Sequence, residues 1–81
     1  MNVFDKFDEV CRLALEEAIQ KVNGLIDIYP KGFENSNISH NDLVKIGNSL
    51  IYDREEMDLR DLAIEDKTKI IANSLRVIQY L

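Results

Sequence analysis

His40 and Cys11 are the only imidazole and the only thiol in the chain, so nucleophilic, acid–base or soft-metal chemistry would have to start from them. His40 stands in Ser39-His40-Asn41-Asp42, which reads as a helix start. At that end the helix dipole is positive and disfavours a protonated ring. General acid–base work also needs a nucleophile or an orienting partner within hydrogen-bond reach, and the sequence supplies none. His40 is therefore expected to be a surface or capping residue. Cys11 lies between Phe7 and Ala14 on the apolar side of a helical repeat. A reactive thiol wants exposure and cationic neighbours; one on an apolar stripe behaves as a small hydrophobe. Core packing is the expectation.

Carboxylates are more plentiful. Glu55, Asp58, Asp61 and Glu65 are spaced so that several could share a helix face. Carboxylate metal centres in bundles add Glu-x-x-His elements from other helices, and no such element occurs. A structural zinc site needs four ligands, and no calcium-loop pattern is present. The chain is thus expected to have no catalytic residue, no metal and no cofactor, and not to be an enzyme. Asp58, Asp61 and Glu65 read instead as a docking surface for a basic protein partner.

Charge narrows the partner further. The net charge is −5, with the balance between Asp53 and Asp66 also −5 and that from Lys67 onward +3. Phosphate backbones would be repelled overall, so nucleic acid is not an expected partner. A helix-turn-helix over Ser39–Leu62 would carry acids where a reader needs bases. One unpaired cysteine suits a reducing compartment. No stretch of about 20 apolar residues could span a bilayer, and Met1–Phe7 lacks a signal-peptide core. The expected location is cytoplasmic.

The elements that must position these groups are helical. Val3, Phe4, Phe7, Val10, Cys11, Ala14, Leu15, Ala18, Ile19 and Val22 recur at spacings of three and four. They predict a helix over 3–23, ended by Gly24. The stretch 24–38, with Pro30, Gly32 and Asn35-Ser36-Asn37, predicts a loop, its Leu25–Pro30 portion a short strand or, since no second strand exists to pair with it, an extended segment laid across the core. Long irregular stretches often carry function, which makes Tyr29 and Phe33 candidate partner contacts. Ser39 as cap, Asp42 at the third helical position and an Ile38–Leu43 staple start a second helix over 40–52. Gly47 is tolerable there if another helix crosses closely. Asp58 caps a third helix over 58–81, which can break near Asp66. Ile46-Gly-Asn-Ser-Leu50 recurs as Ile71-Ala-Asn-Ser-Leu75, read as two close-packing small residues with Asn and Ser on the exposed flank.

The predicted fold class is all-α, a single small bundle of three to four helices over 1–81. Eighty-one residues bury only about 60–65% of the unfolded surface, and the stripes of the first and last helices are wide. Homodimerisation is the expected remedy, with Phe4, Phe7, Ile71, Leu75 and Ile78 as the self-association surface.

Brevity, acidity and the Asn/Ile/Asp/Lys-rich texture of Asn35-Ser-Asn-Ile-Ser-His-Asn-Asp42 complete the reading. In these respects the chain resembles the small accessory proteins of large T4-type phages, among them the cytoplasmic antiholins of lysis inhibition. The resemblance implies a regulator or inhibitor that engages a holin from the cytoplasmic side and delays lysis. It transfers no residue. Two other functions fit the same sequence: an acidic mimic of nucleic acid that blocks a basic groove on a nuclease or regulator, and a small ligand-binding or enzymatic module built on 28–40.

Overall fold

A computed structural model describes residues 3–28 and 39–81, with side chains for 6–27 and 39–81. Three helices account for nearly all of them: α1, Val3–Ile28; α2, His40–Leu59; and α3, Ile64–Tyr80. The all-α class expected from the periodicity is what forms. Tyr29, Phe33 and Ile38 lie outside the described residues, as does the Phe4 side chain.

Helix α1 is the axis of the molecule. Gly47 of α2 meets Val22, Arg54 meets Glu16 and Asp58 meets Arg12, so α2 runs antiparallel to α1. Lys67 at the start of α3 meets Asp8, and Ile78 near its end meets Lys21, so α3 runs parallel to α1. Both later helices pack mainly on α1 and hardly on each other. The result is elongated, 46 × 22 × 18 Å. Its core draws Cys11, Leu15, Ala18, Ile19 and Val22 from α1, Leu50 and Met57 from α2, and Ile70 and Val77 from α3.

Three predicted boundaries are corrected. α1 does not stop at Gly24 but continues to Ile28, and its Leu25–Ile28 end is helical rather than extended. Ile26 packs against the core from this last turn. Burial there outweighs the cost of about 1 kcal/mol for a helical glycine. α2 does not end at 52 but runs through the acidic segment to Leu59. Met57 is buried against Cys11, and Arg54 and Asp58 pair with α1, which holds these turns helical. Asp58 therefore sits in the last turn of α2 and caps nothing. The break falls at 60–63: Arg60 and Ala63 are both extended, and α3 begins at Ile64 with no side-chain cap. Asp66 marks no interruption. With Glu65 it occupies the first turn of α3, where the helix dipole favours acids.

Other local readings appear as predicted. Ser39 Oγ accepts from the Asp42 N–H at 3.1 Å, and the Ser39 N–H donates back to the Asp42 carboxylate at 3.3 Å, a complete capping box. A Cβ placed on Gly47 would stand 3.3 Å from Val22 Cγ1, so α1 and α2 do cross closely there. The reading of the Ile-x-Asn-Ser-Leu repeat, by contrast, is corrected in α3, where Ala72 is exposed rather than close-packed and Ser74 turns inward. In α2, Leu50 is buried and Ser49 exposed; in α3, Ser74 is fully buried and Leu75 is 52% exposed. The inward face is set one residue apart, about 100° of helix rotation. Ser74 Oγ consequently has no partner among the described residues.

Cys11 is fully buried where the three helices meet. Its Sγ lies 3.3 Å from Met57 Sδ of α2 and 3.7 Å from the Lys67 carbonyl oxygen of α3. Burial first, then the Asp8 carboxylate, pushes its thiol above the ordinary range. Cys11→Ser should cost about 1–3 kcal/mol, because a hydroxyl replaces an apolar sulfur in a dry junction. The wild-type thiol should alkylate only as fast as the chain opens. Urea melts and iodoacetamide kinetics check both; rapid labelling of the folded chain would contradict the packing role.

Candidate functional site

Asp8 and Arg12, and likewise Glu17 and Lys21, stand four apart on α1, the spacing of ion pairs within a helix, but the contacts formed tie helices together. Asp8 pairs with Lys67 at 2.6 Å rather than with Arg12, and Arg12 pairs with Asp58 at 2.5 Å. Lys21 donates to the Ile78 carbonyl at 2.5 Å rather than pairing with Glu17, and so serves the C-terminal end of α3. Glu16–Arg54 closes at 3.1 Å. Exposed pairs of this kind contribute at most about 1 kcal/mol each. Their larger consequence is register, since they fix how far α2 and α3 slide along α1. Lys67 is the most sheltered, its side chain 12% exposed, and its hydrogen bond to Asp8 holds its pKa above the ordinary lysine value.

The acidic docking residues are dispersed by the fold. Asp58 is in the last turn of α2 and already paired, Asp61 is in the 60–63 connection, and Glu65 is in the first turn of α3. All three are exposed, but they belong to three different elements and do not form one helix face. Among the described residues no group of three or more His, Cys, Asp or Glu side chains could hold a metal ion. His40 is half-buried as the first residue of α2.

Two surfaces emerge instead. The first is a flank of α1 and α3. Ile64, Ile71, Leu75 and Ile78 fall on one side of α3 at spacings of seven, four and three. Ile71 and Ile78 are half-buried and pack against the core, whereas Ile64 and Leu75 are exposed. On α1, Phe7 is half-buried and Val10 and Leu13 are exposed. Of the predicted self-association residues with described side chains, only Leu75 is mainly free for contact.

The second surface matches none of the predicted site residues. Because α2 and α3 barely touch, a groove runs between them. Its half nearest the 60–63 connection is a cavity of about 450 Å³ lined by Tyr52, Asp53, Glu56, Arg60, Leu62, Asp66, Lys69 and Ile70. Its other half, about 390 Å³, is lined by Lys45, Ile46, Ser49, Arg76, Val77, Tyr80 and Leu81. Asn73 borders both halves. The first half holds three carboxylate side chains against two cationic ones, and the second holds two cationic side chains and no acidic one. Crowding of negative charge shows in the first half: burial and then Glu56 raise the Asp53 carboxyl, and a hydrogen bond to Glu56 raises the Tyr52 phenol. The sequence carried a signal for this groove in Lys45-Ser49-Tyr52-Glu56, a polar row at spacings of four, three and four beside the buried stripe of α2. Comparison with protein families, curated proteins and solved structures finds no match for this chain.

Proposed function

We propose that the protein acts by binding another protein, as a regulator or inhibitor, and that the flank of α1 and α3 is the contact surface. The observation that carries this reading is the exposure of Ile64 and Leu75 beside half-buried Ile71 and Ile78 on one side of α3, with Val10 exposed and Phe7 half-buried on α1. Apolar side chains grouped beyond what the core can cover are the mark of an interaction site. Among the described residues no helix is long and apolar enough to cross a membrane. The textural resemblance to T4-type accessory proteins supports a more specific form of the reading: a cytoplasmic antiholin whose partner is a holin. The nucleic-acid mimic is less well supported, because Asp58, Asp61 and Glu65 stand on separate elements rather than in a row.

Ile64→Asp/Leu75→Asp tests the assignment. Both positions are exposed, so each change should cost no more than about 1 kcal/mol and circular dichroism should report an unchanged helix content. In cells whose lysis depends on a holin, wild type should delay lysis and the double variant should not. A wild type without effect removes the antiholin form. A folded double variant that delays lysis like wild type removes the flank.

A further inference from the structure

The groove between α2 and α3 has a property that the flank lacks: its two halves are complementary to each other. One half carries Asp53, Glu56 and Asp66 with Arg60 and Lys69; the other has Lys45 and Arg76 as its only charged side chains. Each half also has an exposed tyrosine at its edge, Tyr52 at 60% and Tyr80 at 73%, and an apolar floor, Leu62 and Ile70 in one and Ile46, Val77 and Leu81 in the other. A surface with opposite charge at its two ends meets itself favourably when a second copy is turned end for end, which is the twofold arrangement of most homodimers.

We infer that the groove is a homodimer seam, in which the α2–α3 face of one copy packs antiparallel on the same face of a second. The acidic half of each copy lies over the Lys45–Arg76 half of the other. The Tyr80 ring of one copy then sits over Leu62 and Ile70 of the other, and Tyr52 over Val77 and Leu81. Large, rigid rings entering apolar hollows are the usual anchors of an interface. Asn73, which borders both halves, falls at the twofold axis, where its amide can meet its own counterpart and fix the register, as a lone buried asparagine does in coiled coils. The four central helices make a bundle, and α2 and α3 gain the mutual cover they lack in one copy. Space is sufficient. Helices α2 and α3, of 20 and 17 residues, give the seam a run of about 26–30 Å, five turns or so of each helix. This seam leaves the α1–α3 flank free, so it stands or falls independently of the proposed function.

Two charge-reversed variants test the seam. One is Lys45→Glu/Arg76→Glu and the other is Asp53→Lys/Asp66→Lys. Sedimentation equilibrium should find wild type dimeric, with a dissociation constant that rises with salt. Each variant alone places like charges at both ends of the seam and should dimerise about tenfold more weakly or worse. Mixed in equal amounts they should form a heterodimer, because both ends are then attractive again. Misfolding cannot produce that recovery. A wild type that stays monomeric at millimolar concentration overturns the inference. So does a mixture no more dimeric than its folded components. Two variants as dimeric as wild type, with dimerisation lost instead in Ile64→Asp/Leu75→Asp, overturn it as well and move the seam to the flank.

Discussion

Leu15→Ala should lower the stability of the folded chain by about 2–5 kcal/mol, the range for deleting a fully buried leucine side chain. Leu15 is 1% exposed and belongs to the helix on which both others rest. A chain of this length has a total stability of only about 4–12 kcal/mol at typical per-residue values. The change therefore removes from about a sixth of it to all of it. Repair from elsewhere is limited, since α2 and α3 hardly support each other when α1 is loosened. Urea unfolding should show a much lower midpoint, and heat unfolding a fall of about 8–40 °C at roughly 4–8 °C per kcal/mol. Leu13→Ala, two residues away and exposed, is the internal control and should change stability by about 0.5 kcal/mol or less. A loss of under 1 kcal/mol at Leu15, or equal losses at both positions, would mean that α1 is not the axis.

That axis was legible in the sequence because its signal is local and redundant. Ten apolar positions repeat at helical spacing from Val3 to Val22, and one misplaced residue would not disguise them. The Ser39–Asp42 capping box and the crossing at Gly47 were legible for a similar reason, since each is a short pattern with one stereochemical use. Helix ends were harder. Gly24 looks like a stop and Asp53–Asp58 looks like a break, yet both stretches are helical because Ile26 and Met57 bury against distant parts of the chain. Tertiary burial, which no window of sequence contains, decided them. The surface was hardest. Asp58, Asp61 and Glu65 are neighbours in sequence, but the 60–63 connection assigns them to three elements. The groove residues Lys45, Tyr52, Arg76 and Tyr80 are far apart in sequence and meet only because α2 and α3 stand apart. A spacing rule finds what shares a helix. It does not find what shares a gap between helices.

The close approach of α1 and α2 makes Gly47 sensitive to size, where Gly24 has open space around it. Adding only a Cβ places it 3.3 Å from Val22 Cγ1, tight enough that the valine must yield by a few tenths of an ångström. Replacing glycine by alanine inside a helix is worth about 1 kcal/mol, so Gly47→Ala should come out near neutral as the two effects cancel. Gly47→Leu has no such balance. Its further carbons have to enter the space that Val22 fills, and the expected loss is about 3 kcal/mol, the upper end of ordinary overpacking. If crowding against Val22 is the cause, trimming that side chain should relieve it. In a Val22→Ala background Gly47→Leu should cost less than in wild type, with a coupling of about 0.5–3 kcal/mol in a double-mutant cycle read by urea unfolding. Helix propensity alone predicts the reverse ordering, since leucine is a far better helix former than glycine and would stabilise α2 whatever stood at position 22. The sign of the single substitution and the sign of the coupling therefore separate a close helix crossing from a glycine that is merely exposed.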